Sequence, residues 1–123
     1  MPVFLWLAAG MAGLTALVHT FAGGREVARP LLASDALPPA SKWLNYYCWH
    51  ITTVLIVFMA AGFALAAWQD SYRAMALFLA PLCAALSILS AFVAMKGGIG
   101  PLRLPSTSLF AGTALLAAAG LVL

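Results

Sequence analysis

Charged residues are scarce in this sequence. They make up 7% of its 123 residues, whereas hydrophobic residues make up 65%, and a soluble protein normally carries about 25% charged residues. The chain has too little charge to cover a water-facing surface, which excludes an ordinary soluble domain. The net charge of +3 comes from residues between the apolar segments, where it fits membrane topology, so no nucleic-acid partner is predicted.

Cysteine pairs and catalytic motifs are also lacking. The two cysteines, Cys48 and Cys83, form no CxxC, and on the predicted helices they differ in depth by roughly 15 Å. A disulfide requires Cα atoms within about 7 Å, so two free thiols are predicted. The sequence contains no HExxH, no phosphate loop and no Ser-His-Asp set. No catalytic residue and no metal site are therefore predicted, and an enzymatic function is not favoured.

Long apolar runs make up most of the chain. A helix that crosses the roughly 30 Å core of a bilayer needs about 20 apolar residues, and four such runs occupy about residues 3–22, 40–68, 74–95 and 106–123. The first run has no Lys or Arg before it and is too long for a signal peptide. The predicted fold is all-α: an integral-membrane, up-down four-helix transmembrane bundle that forms one domain over residues 1–123.

Glycines mark the predicted end of the first helix. Gly23 and Gly24 are adjacent, and paired glycines favour a helix stop. Residues 23–42 are then predicted to form a long cytoplasmic loop. Within it, residues 25–33 are predicted to form a short interfacial helix that lies on the headgroups.

Positive charge lies almost entirely on one side of the predicted membrane. Arg73 is on one side, and five residues are on the other: Arg25, Arg29, Lys42, Lys96 and Arg103. Cytoplasmic loops are enriched in Lys and Arg, so this bias predicts a bacterial inner-membrane protein with both termini outside, in the periplasm. Arg25 and Arg29 are predicted to bind anionic lipid headgroups, at about 1 kcal/mol each.

Small residues recur on one face of each predicted helix, at spacings of three and four. Lipid is as apolar as Leu, so transmembrane helices associate through small residues and a few polar contacts. The predicted partners are the lipid bilayer, a second copy of the chain bound through these faces, and a further membrane protein. The four stripes are Ala8, Ala12, Thr15 and His19; Tyr46, His50, Thr53, Val57, Ala60, Ala64 and Ala67; Cys83, Ser87, Ser90 and Ala94; and Thr113, Ala117 and Gly120.

A polar cluster is predicted in the inner third of the bundle. Counting depth from the helix ends at 1.5 Å per residue brings five side chains to a similar level: His19, Tyr46, His50, Thr53 and Ser90. One interpretation is structural, because a neutral histidine can donate a single interhelical hydrogen bond worth roughly 0.6 kcal/mol. The other is a ligand or cofactor site, because ionisable residues inside a membrane are rare and usually functional.

Three functions stay open at this point. The first is a binding or scaffolding role centred on the polar cluster. The second is a redox component that holds a b-type haem or a quinone with His19 and His50, although the cofactor is unknown. The third is a small transporter or channel subunit. Small multidrug exporters need an acidic residue inside helix one, and Glu26 falls past the predicted helix end, which does not favour that class.

Two short runs resemble small, uncharacterised four-helix bacterial inner-membrane proteins. The first is His19 followed by Gly23-Gly24-Arg25 and Pro30-Leu31-Leu32. The second is Tyr46-Tyr47-Cys48-Trp49-His50. The resemblance covers the first half of the chain. It implies a four-helix inner-membrane architecture and no particular activity.

Overall fold

The chain folds into four long helices and has no strand. The computed structural model describes all 123 residues. All four helices are long and apolar enough to cross a membrane, which confirms the all-α prediction and the four apolar segments. A 3₁₀ turn at Asp70–Tyr72 precedes the third helix. The helices are α1, Pro2–Ala33; α2, Pro39–Trp68; α3, Arg73–Lys96; and α4, Pro105–Val122.

Helix α1 does not end at the paired glycines, so the prediction of a long loop over residues 23–42 is wrong. The α-helix Pro2–Leu17 continues as a π-helix over Val18–Ala28 and as a further α-helical turn over Arg29–Ala33. A glycine stop requires left-handed backbone, and Gly98 is the only residue with positive φ. Only residues 34–38 separate α1 from α2.

The core lies where small residues let the helices approach closely. Helix α1 packs between α2 and α4, α4 packs on α3, and α2 meets α3 less extensively. The small faces predicted for α1 and α4 are buried within the chain, at Ala8, Ala12, Thr113 and Ala117. Self-association through those faces would compete with this packing within the chain. The association of two copies stays a prediction.

The stripe predicted for α2 is wrong in part. The largest fully buried side chains of this helix are those of Ile56, Met59 and Phe63. Ala67 of the predicted stripe is also buried, whereas Val57 is 51% exposed. The helix is therefore rotated relative to the prediction. Large apolar side chains of α2 fill the space left by the alanines of α1 and α3, which a pattern of small residues alone does not reveal.

The helices are flush at one end and uneven at the other. The Met1 amine donates to the Gly120 carbonyl over 3.2 Å, so the start of α1 lies against the end of α4. Because α1 has 32 residues and α4 has 18, α1 extends past the start of α4 by about 20 Å at 1.5 Å per residue. The 30-residue α2 runs alongside, and the Lys42 amine donates to the Leu32 carbonyl over 3.2 Å. We call the part of α1 beyond the start of α4, together with the neighbouring start of α2, the projecting pair.

Candidate functional site

A groove of about 320 Å³ lies between the two helices of the projecting pair. This volume is at the lower end of the range of about 300–1,000 Å³ found for ligand pockets. Its wall combines aromatic rings, hydroxyls, an imidazole and a guanidinium. The lining residues are Thr20, Gly24, Ala28, Arg29, Leu32, Tyr46, Trp49, His50 and Thr53.

Trp49 joins the two helices at the inner side of the groove. The His19 imidazole stacks on its indole, with ring centroids 3.9 Å apart and ring planes 19° from parallel. His19 Nε2 lies 3.2 Å from the Trp49 carbonyl oxygen, to which it donates. The Thr53 hydroxyl donates to the same oxygen over 3.2 Å. This carbonyl therefore accepts two hydrogen bonds beyond the ordinary helical pattern, and His19 is held as a structural link.

The two glycines of α1 contribute to the groove by lacking side chains. A Cβ placed on Gly23 would lie 2.7 Å from Cη2 of Trp49, closer than real Cβ contacts, whereas a Cβ on Gly24 would meet nothing within 4 Å. Gly23 thus allows the indole to lie directly against the α1 backbone. Gly24 leaves open space in the groove wall. The residues predicted to stop the helix instead shape the site.

His50 is placed differently from His19. Its ring packs edge-on against the Tyr46 ring, with centroids 4.5 Å apart and planes at 87°. The pair is four residues apart on α2, so both side chains share one helix face. His50 is exposed, whereas His19 is partly buried. His50 is therefore free to meet a ligand, while His19 Nε2 is already used.

The contacts of His19 with Trp49 disfavour the hypothesis that His19 and His50 are the two axial ligands of a haem. Two axial ligands require two histidines whose coordinating nitrogens face one space, and the Trp49 carbonyl engages His19 Nε2 while the indole covers one face of its ring. Ligation through that nitrogen would break the hydrogen bond to the Trp49 carbonyl, because the metal and the carbonyl oxygen would compete for the same position in the ring plane. The structure has no group of three His, Cys, Asp or Glu residues placed to hold a metal ion.

Ser90 does not join the other predicted site residues. Its hydroxyl hydrogen-bonds the Ser106 hydroxyl over 2.7 Å and the Thr107 hydroxyl over 2.8 Å. Ser87 donates to the Thr107 carbonyl over 2.7 Å. These bonds link α3 to α4, and α3 lies across the core from α1. The prediction that Ser90 converges with the histidines is therefore wrong, whereas Tyr46, His50 and Thr53 do share the groove.

The two arginines predicted to bind lipid also differ. Arg29 lines the groove and Arg25 does not. Sequence reasoning missed Trp49 and Thr20 as groove residues. The sequence signal for Trp49 is its place between Tyr46 and His50, two of the predicted site residues. Its contact with Gly23 depends on the relative rotation of two helices, which the sequence does not display.

A second crevice, of about 440 Å³, lies between α2 and α3. All seven of its lining residues are apolar, and they include Phe58, Met75 and Phe78. It offers no side-chain donor or acceptor to fix an orientation or to transfer a proton. The groove of the projecting pair is therefore the better candidate for a specific site.

Comparisons of the chain with protein-family models, with curated proteins and with solved structures found no match. The chemistry of the groove is therefore the basis for inferring function. Its aromatic and apolar surfaces suit a hydrophobic group, and its donors suit an oxygen-rich or anionic group. An amphipathic molecule carries both kinds of group and therefore matches both the apolar and the polar residues of the groove.

Proposed function

We propose that this chain is a four-pass inner-membrane protein with up-down topology and both termini in the periplasm. Four apolar helices of sufficient length support membrane insertion. The bias of positive residues toward the end that carries the projecting pair supports a cytoplasmic location for that end. Of the six Lys and Arg residues, only Arg73 lies at the opposite end.

The helix lengths support a position of the groove near the membrane surface. Helix α4 has 18 residues, or about 27 Å, and thus fills the roughly 30 Å hydrocarbon core. The projecting pair extends beyond α4 and reaches the headgroup region. Thr20 and Thr53 lie at the deeper end of the groove, and Arg29 and Leu32 lie farther along α1 toward the cytoplasm.

We infer that the groove binds a small amphipathic molecule, and that this binding is the function of the protein. The observation that carries the proposal is the mixed lining of the groove, which combines apolar and polar residues. Trp49, Ala28 and Leu32 give the groove apolar surface that can contact an acyl or isoprenoid group. Tyr46, His50 and Arg29, whose side chains carry hydrogen-bond donors, line the same groove. An apolar wall with a few placed polar groups is typical of ligand sites.

Fluorescence from Trp49 tests this proposal. In a variant with Trp6→Phe, Trp43→Phe and Trp68→Phe, Trp49 is the only tryptophan. The purified protein in neutral detergent is titrated with phosphatidylglycerol and with diacylglycerol, each spin-labelled near the headgroup end of one chain. We expect saturable quenching by at least one of them at low mole fraction, because a bound label lies beside the indole.

The matched control keeps Trp68 as the only tryptophan. This residue is 75% exposed at the far end of α2, so its quenching should rise linearly with the mole fraction of label. Saturation at Trp49 with linear quenching at Trp68 supports the groove. Linear quenching at both positions by both lipids contradicts the proposal.

A redox role with a quinone is a second candidate. The edge-on pair of Tyr46 and His50 lines the same groove as Trp49. A quinone ring can stack on an aromatic face while its carbonyl oxygens accept hydrogen bonds. A short-chain ubiquinone would then quench Trp49 saturably and displace both spin-labelled lipids. Failure of ubiquinone to displace either lipid contradicts this candidate.

A further inference from the structure

We propose that the ligand of the groove carries a phosphate group, and that Arg29 binds it. This inference rests on the proposed function, because it names the chemical class of the groove's ligand. The shared chemistry is a phosphate ester, whose source is either a phospholipid headgroup or a soluble phosphate compound.

Arg29 is free to bind a ligand. Its side chain lines the groove, it is exposed, and none of the side-chain hydrogen bonds of the chain involves it. A guanidinium presents five N–H donors in a planar fork that matches the oxygens of a phosphate. Arg29 is the only charged residue in the groove wall, so an anionic group is favoured over a cationic one.

The groove wall contains further hydrogen-bond donors besides Arg29. Thr20, Tyr46 and His50 line the same groove, and none of their side chains is used in a hydrogen bond within the chain. A phosphate ester has several acceptor oxygens and can accept from the guanidinium and from neutral donors together. A carboxylate has two oxygens with about four lone-pair sites, and a bidentate bond to Arg29 would use two of these sites. A phosphate ester has more acceptor oxygens, so the number of donors in the groove favours phosphate.

The electrostatic setting agrees with this assignment. The end of the molecule that carries the groove has five Lys and Arg residues and two acidic residues, Glu26 and Asp35. The local charge is therefore five minus two, or +3, which attracts anionic lipids to that end. Arg25 shares this field but does not line the groove. A comparison of Arg29 with Arg25 therefore distinguishes a specific contact in the groove from a general electrostatic attraction.

The single-Trp49 protein distinguishes the ligand classes by competition. Spin-labelled phosphatidylglycerol is bound first, and unlabelled phosphatidylglycerol, diacylglycerol, oleate and glycerol 3-phosphate are added as separate competitors. We expect phosphatidylglycerol to displace the label and diacylglycerol and oleate to do so far less well. Displacement by glycerol 3-phosphate at similar concentration would assign the phosphate to a soluble source instead.

Arg29→Gln and Arg25→Gln form the matched pair of variants. Charged hydrogen bonds are stronger than neutral ones, so Arg29→Gln should weaken phosphatidylglycerol binding about tenfold or more, and tenfold corresponds to about 1.4 kcal/mol. Arg25→Gln should change it less than about threefold. Arg29→Lys, which keeps the charge without the fork, should lie between wild type and Arg29→Gln, and circular dichroism checks that all three variants remain folded.

The phosphate assignment and the proposed function are contradicted by different results. Equal displacement by diacylglycerol or oleate, or equal losses in Arg29→Gln and Arg25→Gln, overturns the phosphate assignment while leaving the groove as an amphiphile site. Absence of saturable quenching at Trp49 by any labelled lipid overturns the proposed function itself, and the phosphate assignment with it.

Discussion

At the residue scale, the two histidines of the chain have separate roles. His19 is held by stacking on Trp49 and by donation to the Trp49 carbonyl. His50 touches only the edge of Tyr46 among the aromatic rings and stays exposed in the groove. One histidine therefore fixes the spacing of α1 and α2, and the other is available to a ligand. A symmetrical role as two ligands of one cofactor does not follow from this arrangement.

This difference predicts that two alanine substitutions change stability by different amounts. His19→Ala removes an interhelical hydrogen bond of roughly 0.6 kcal/mol and an aromatic stack of about 0.5–1.5 kcal/mol, so the free energy of unfolding should fall by about 1–2 kcal/mol. His50→Ala should change it by less than about 0.5 kcal/mol, as is usual for exposed positions. Reversible unfolding in sodium dodecyl sulfate, followed by circular dichroism, measures both. Equal destabilisation by the two substitutions would contradict the separate roles.

At the scale of elements, two glycines set how closely helices approach. Gly23 admits the Trp49 indole from α2 to the backbone of α1. Gly120 brings α4 onto α1, because a Cβ there would lie 2.8 Å from Cγ and 3.1 Å from the backbone nitrogen of Leu5. Close approach of this kind drives helix association where lipid gives no hydrophobic advantage. The flush end of the molecule depends on the second contact, and the groove depends on the first.

Gly120→Ala should therefore destabilise the packing of α1 on α4. Overpacking costs about 1–3 kcal/mol, since backbone as well as side-chain atoms of Leu5 stand in the way. Gly112→Ala on the same helix is the control, because its Cβ would meet only Met11, at 3.5 Å. Both changes raise helix propensity equally, so their difference in unfolding free energy, in the same detergent assay, isolates the clash. A difference below about 0.5 kcal/mol would show that α4 shifts freely on α1.

At the scale of the whole molecule, uneven helix lengths create the site. The Met1 amine meets the Gly120 carbonyl, and the Arg73 guanidinium donates to the Leu121 carbonyl, so both contacts anchor the same end of the molecule. All surplus length of α1 and α2 then appears at the opposite end. Positive charge is concentrated at that end as well. The groove, the projecting pair and the charge bias thus coincide in one place.

Much of this architecture is predictable from the sequence, and the site is predictable only in part. Four apolar runs of bilayer length require four helices whatever their packing. Tyr46, His50 and Thr53 share a groove because spacings of three and four on one helix place side chains on one face. The continuation of α1 through Gly23 was missed, because glycine permits left-handed backbone without requiring it. Ser90 was misplaced, because depth along a helix does not tell which helix is its neighbour.

The most direct test asks what occupies the groove in living cells. A photo-cross-linking amino acid is placed at Thr20, which lines the groove, or at the adjacent Phe21, which is 68% exposed and does not line it. Mass spectrometry then identifies the adducts formed on irradiation. The account predicts one phosphate-bearing amphiphile enriched at position 20 and adducts in proportion to bulk lipid at position 21. The same distribution of adducts at both positions would contradict it.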